Sequence, residues 1–329
     1  MNRFLLSAGI ALALISGQAL AQATYPTKVF PLPNRMYIHD VAPAPNGLVW
    51  WTAQSDGYLG ILDPKTGQNK LVKLGEDSAP HGVIQSKDGK AWITDGGQNA
   101  IVSYNPKTEK VSVYPLPADT GYTNLNTPTE GPDGSIWFTG QNGIHGKVDV
   151  KTGKVSVWKS PKGRGPYGIT TTPAGEIYFS SLAGSYLGHI NQATGAVEVI
   201  EPPVPGVGLR RVWSDSKGDL WMSEWSGGHV ARYSPATKEW RRWPAPGTTG
   251  NRRSQVYAVY VDDKDIVWIS NWSNNSVYAF DPATEKFTAV PGSRPTSEVR
   301  QILGVPGKVW LPELGNDSIM EIDTGAPRS

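Results

Sequence analysis

One phrase returns seven times along this chain: a turn, an apolar residue, Trp or Tyr, a second apolar residue, then usually Thr or Ser. The copies read NGLVWWT, DGKAWIT, DGSIWFT, AGEIYFS, KGDLWMS, KDIVWIS and PGKVWLP. Their aromatics, Trp50, Trp92, Trp137, Tyr178, Trp221, Trp268 and Trp310, are separated by 42, 45, 41, 43, 47 and 42 residues. A period near forty, with turn chemistry and one aromatic per unit, indicates an array of small sheets rather than a two-layer domain. A second landmark keeps the same count: DPKTG at 63–67, NPKT at 105–108, DVKTG at 149–153, SPAT at 234–237 and DPAT at 281–284.

Each unit has room for four short strands, as in PHGVI (80–84), AWIT (91–94), AIVSY (100–104) and VSVYP (111–115). Alternating apolar positions with turn residues between them mark antiparallel hairpins. A lone four-stranded sheet cannot bury both faces, so seven must pack face to face around an axis. The expected fold is an all-β, seven-bladed β-propeller. Its closure is legible at the ends. TKVFPLP (27–33) matches the outer strand KVSVYPLP (110–117), whereas SIMEID (318–323) matches a third strand. Pairing the spare first strand with the last blade would close the ring and remove two exposed sheet edges.

The remaining chain features set bounds. Residues 1–3 supply a short positive start through Arg3, 4–15 form an apolar run, and Ala19-Leu20-Ala21 is a small-x-small site, which together read as a signal peptide over 1–21. The expected mature chain, 22–329, is one propeller domain, periplasmic or secreted, monomeric, and without a membrane span once the signal is cleaved. With 31 basic and 29 acidic residues the net charge of +2 gives no footprint for nucleic acid. Cysteine is absent, which excludes disulfides and thiol chemistry. Neither a phosphate-binding glycine loop nor a nucleophile elbow is present.

In a propeller the first strand of each blade lines the central channel. The residue eleven before each repeat aromatic should therefore recur around one ring: His39, His81, Asn126, Tyr167, Arg210 and Tyr257, with Arg300 ten before Trp310. All can donate a hydrogen bond, an unusual set in so apolar a repeat, and it reads either as a ligand site or as a water-filled channel lining. The residue three after each aromatic gives Ala53, Asp95, Gly140, Ser181, Glu224, Asn271 and Glu313. Its acids could hold a hard divalent cation, Mg²⁺ or alternatively Ca²⁺, or serve as strand-end salt-bridge partners. His145, His189 and His229 fall on third strands and read as structural.

The phrases PHGV, DGKAWITD, DGSIWFTG, KGDLWMSEW and KVSVYPLP resemble the repeats of the streptogramin B (virginiamycin B) lyase family over all seven units. That resemblance implies a seven-bladed propeller that linearises a cyclic depsipeptide by elimination, using Mg²⁺, channel-mouth histidines on neighbouring blades, and carboxylates. Followed in chain order, Glu298 and Glu313 resemble the metal-holding carboxylates. Arg300, however, stands where the catalytic histidine belongs, and Tyr257 occupies the equivalent place one blade earlier. A guanidinium stays protonated and cannot be a general base. Rotated around the ring, His39 and His81 resemble the histidine pair and Asp95 one carboxylate, while Ala79 departs from the second.

Two functions follow. In one, an exported lyase-like enzyme opens a cyclic ester or lactone, with His81 as base and His39 as its partner or a substrate anchor. Asp95, Glu298 and Glu313 would lie near the metal. Arg210, Arg300, Tyr167, Tyr257, Asn126 and Glu224 would contact a small, anionic or cyclic-ester ligand. In the other, the same mouth belongs to a non-catalytic periplasmic propeller that binds a ligand or a protein.

Overall fold

The computed structural model describes residues 25–33, 35–44, 46–249, 253–292 and 294–325. The segment expected to be a signal peptide, 1–21, lies outside them. Seven four-stranded antiparallel sheets follow one another along the chain. The inner strands of blades 1 to 6 are Ile38–Pro43, Pro80–Gln85, Leu125–Glu130, Pro166–Thr171, Leu209–Ser214 and Val256–Val261. Blade 7 has the short inner strand Leu303–Val305, then Lys308–Glu313 and Ser318–Asp323, and takes its outer strand from Thr27–Pro31. Thr27 pairs with Ile322 and Pro31 with Ser318, so the ring closes as the termini imply. Two single turns of 3-10 helix, Ala118–Thr120 and Leu314–Asn316, are the helical content of the described residues.

The repeat aromatics supply the packing between blades: Trp50, Trp92, Trp137, Trp221 and Trp268 are fully buried. Removing one such ring would cost about 3–5 kcal/mol, which explains why the position is nearly invariant along the chain. The neighbouring large side chain in the second strand needs space of its own. Trp51, Phe138 and Phe179 each face a glycine across the sheet, Gly60, Gly146 and Gly188. A Cβ on Gly60 would lie 1.9 Å from the Trp51 ring.

Each inner strand of blades 1 to 6 carries an irregularity at one place, between Ile38 and Val41 in blade 1 and at the matching residues of the others. Two residues there oppose one on the partner strand, the geometry of a β-bulge. The first of each pair is the predicted ring position. In blade 7 Val299 bridges Glu313 and Leu303 pairs with Trp310, so Arg300 begins the equivalent bulge.

The Thr or Ser two residues after the repeat aromatic pins this bulge. Thr52 Oγ1 accepts from Asp40 N of its own blade and donates to the His81 carbonyl of the next. Thr94 links Gly82 to Asn126, Thr139 links Thr127 to Tyr167, and Ser223 links Arg211 to Tyr257 in the same way. Blade 7 has Pro312 at this position. There Gln301 Oε1 accepts from Val41 N across the closing seam instead.

Candidate functional site

The bulges bring the ring residues together at one level of the channel, where His39, His81, Asn126, Tyr167 and Tyr257 are buried. His39 and His81, from adjacent blades, touch with ring centroids 3.8 Å apart. Asn126 Nδ2 lies 3.2 Å from His81 Nε2. Across the channel the Tyr167 and Tyr257 hydroxyls are 2.9 Å apart, and Arg210 donates to Tyr167 Oη at 2.8 Å. The Arg210 guanidinium sits over three aromatic faces, Tyr257 at 3.5 Å, Trp225 at 4.3 Å and Tyr167 at 4.6 Å. Arg300 lies over Trp272 at 5.4 Å. Such stacking holds a guanidinium in place without consuming all its donors. Tyr37 and Tyr122, both exposed, stand on the loops leading into the inner strands of blades 1 and 3.

Ring spacing did not point to the second residue of each bulge. There Asp40 and Arg211 meet across the channel, Nη2 to Oδ1 at 2.9 Å and Nη1 to Oδ2 at 3.4 Å. Asp40 Oδ1 also lies 2.8 Å from His39 Nδ1. Arg211 Nη1 donates to Thr127 Oγ1 at 3.0 Å. The pair is almost dry, 2% and 5% exposed. A buried ion pair of this kind is tolerated only when its remaining donors and acceptors are met, as these largely are. A signal was present: among Asp40, Gly82, Thr127, Gly168, Arg211, Ala258 and Gln301, the two charges have opposite sign.

Burial pushes the His39 imidazole well below its ordinary pKa, and the positive charges of Arg211, Arg300 and Arg210 act in the same direction. His81 shifts the same way, through burial first and then His39, Arg211 and Arg210, against an opposing pull from Asp40. Both rings are therefore neutral at pH 7. Burial and then Tyr167 raise the Tyr257 phenol. Burial acts upward on Tyr167 as well, but Arg210 and Arg211 outweigh it and lower that phenol.

The acids are arranged differently. Asp95 is fully buried and accepts from Ser78 Oγ, Ala79 N, Gln98 N and Gln98 Nε2. Glu224 forms a two-pronged pair with Arg242, both contacts 2.6 Å. Glu313 accepts from Ser318 Oγ at 2.9 Å. Glu298 has φ 49°, and its backbone N–H donates to Asn275 Oδ1. These residues anchor turns at the ends of second strands or in the loop before the last inner strand. His145, His189 and His229 stay on third strands: His145 bonds the Gly195 carbonyl, His189 Glu176, and His229 the Gly227 carbonyl.

Among the described residues, the one group of three such ligand atoms close enough to share a metal is His39, Asp40 and His81, all within 4.8 Å of one another. Asp95, Glu298 and Glu313 are outside that group. A hard cation fits this trio poorly. Mg²⁺ and Ca²⁺ want several oxygens, and the single carboxylate already accepts from Arg211 and His39. Arg211 pairs with that carboxylate, and Arg300 and Arg210 add positive charge near His39, a field that favours anions.

A profile of the family described as the Virginiamycin B lyase family matches residues 18–251. The chain belongs to the virginiamycin B lyase family. A streptogramin B lyase structure superposes with TM-score 0.81 at 24% identity, covering 91% of this chain and 97% of that one. A catalytically inactive virginiamycin B lyase from Staphylococcus aureus with quinupristin gives 0.82 at 21%, covering 92% and 100%. A chain of the mitotic checkpoint complex gives 0.75 at 11%, covering 98% of each. At these identities the likeness speaks for the propeller fold. No curated protein sequence matches the chain. Among the described residues no helix is long and apolar enough to cross a membrane.

Proposed function

We propose that this family member is an exported carbon–oxygen lyase that opens a cyclic ester or lactone, releasing its acyl end as a carboxylate. The observation that carries this reading is the contact between two neutral imidazoles at a mouth that also holds Arg210 and Arg300. A neutral imidazole can take the Cα proton next to a carbonyl at neutral pH. The electron pair of that C–H bond becomes the Cα–Cβ double bond, and the Cβ–O bond breaks. The departing oxygen leaves as a carboxylate, which a guanidinium binds in two-pronged fashion. Exposed Tyr37 and Tyr122 give the apolar parts of such a ring a surface to lie on. Donor commitments and local charge do not favour Mg²⁺ or Ca²⁺ beside the histidines, so no step is assigned to a metal.

The test is a panel of cyclic depsipeptides and lactones, with products weighed by mass spectrometry. Elimination gives a ring-opened product of unchanged mass carrying an alkene, whereas hydrolysis adds one water. His39→Ala and His81→Ala should each abolish turnover while the fold persists. The second reading is a propeller whose mouth only binds. It is favoured by the rigid seating of Arg210 among three aromatic rings, an arrangement suited to anchoring. Saturable binding with no product from any member of the panel would select it.

A further inference from the structure

The histidine network closes on itself. From Arg211, one arm runs Nη2 to Asp40 Oδ1, and Asp40 Oδ1 to His39 Nδ1. The other runs Nη1 to Thr127 Oγ1, Thr127 Oγ1 to Asn126 Oδ1 at 2.8 Å, and Asn126 Nδ2 to His81 Nε2. The two imidazoles meet at the far end. Four blades contribute to this loop, and one residue in it can only donate.

That constraint determines the proton positions around the loop. Arg211 has no acceptor and cannot lose its proton in a protein. Thr127 Oγ1 accepts from Arg211, so its own hydrogen goes to Asn126, and the atom receiving it must be the amide oxygen. The Asn126 NH₂ is then turned to His81, whose Nε2 must accept. A neutral His81 therefore carries its proton on Nδ1, a buried atom with no protein partner. On the other arm Asp40, paired with Arg211, is an ionised acceptor, so His39 also carries its proton on Nδ1. Its Nε2 keeps a lone pair.

We infer that Arg211 and its Thr127 relay fix the tautomers of both histidines, making His39 Nε2 the proton acceptor and keeping the His81 proton on its buried Nδ1. Asp40, Arg211, Thr127 and Asn126 are positioning residues. This reverses the roles expected from sequence, where His81 was the base. The catalytic roles rest on the lyase reading; the tautomers do not.

The experiment uses the full mature chain labelled with ¹⁵N-histidine and long-range ¹H–¹⁵N correlation at pH 7. Signals are assigned with His39→Gln and His81→Gln. His39 and His81 should both appear neutral and Nδ1-protonated, while His145, which donates through Nε2 to a carbonyl, provides the opposite tautomer as an internal contrast. Thr127→Val cuts one arm and leaves the Asp40 pair in place. It should scramble the His81 tautomer, leave His39 unchanged, and lower kcat about tenfold or more at similar KM, the size of one lost hydrogen bond in the transition state. Arg211→Met should perturb both rings; if that variant fails to fold, Thr127→Val still decides. An Nε2-protonated His81, a charged His39, or a Thr127→Val protein with an unmoved His81 would overturn the inference. Correct tautomers with no product from any ester would instead remove the lyase reading and leave the network standing.

Discussion

Phe30→Ala tests what holds the ring shut. Phe30 is 2% exposed, whereas its strand neighbours Thr27, Lys28, Val29 and Pro31 are exposed, so one side chain carries most of the apolar burial of the closing strand. It stacks on Trp310, the repeat aromatic of the last blade, with centroids 5.9 Å apart. Truncating a buried Phe costs about 3–5 kcal/mol, and an edge site that can partly collapse belongs near the lower value. In a chain this long about 1 kcal/mol moves the melting point by about 2–4 °C, so a fall of about 6–12 °C is expected. Near-ultraviolet circular dichroism of the mature protein would measure it. Val29→Ala, on the same strand but 42% exposed, is the control and should stay within about 0.5 kcal/mol of the parent. Deleting residues 24–34 should exceed Phe30→Ala. If Phe30→Ala melts within about 2 °C of the parent, the first strand is an ornament on the ring, not its closure.

Three further outcomes are expected. Both histidines have lowered folded pKa values, so the unfolded chain binds more protons below the ordinary value of about 6.5; stability is complete above that pH and falls below it by up to about 1.4 kcal/mol per pH unit for each ring. The double variant His39→Gln/His81→Gln should flatten that acid limb in denaturant titrations, and an unchanged slope would contradict the assigned shifts. Trp268 Nε1 donates to Asp262 and Trp221 Nε1 to Asp215, whereas Trp92 Nε1 is buried without a partner. Trp268→Phe should therefore destabilise more than Trp92→Phe, by about 1–3 kcal/mol, as read from urea midpoints. Arg300→Ala should raise KM for an acidic substrate and leave the melting temperature within a few degrees; equal loss for neutral and acidic substrates would argue against carboxylate recognition.

The architecture was legible because the constraint is periodic. Seven aromatics at nearly even spacing fix seven sheets, and a spare strand at one end matches a missing one at the other. The ring from His39 to Arg300 was legible for the same reason. Its neighbours Asp40, Thr127 and Arg211 were not, because alternation along a strand assigns adjacent residues to opposite faces and a bulge breaks that rule. The acids at the next repeat position carry a local task that spacing alone does not show. Asp95 and Glu224 recur at one repeat position because that position ties down a turn, a task that needs acceptors as much as a metal does.

Where a hydroxyl bridges a bulge to the next blade, as Thr52, Thr94, Thr139 and Ser223 do, it grips main chain only. A channel side chain can therefore be exchanged without loosening the seam that presents it, and the sectors built this way offer equivalent seats. Reactive groups are free to migrate around such a wheel over evolutionary time. An imidazole pair on sectors one and two, with a guanidinium at the seat where the family resemblance implies a histidine, is what that freedom would produce.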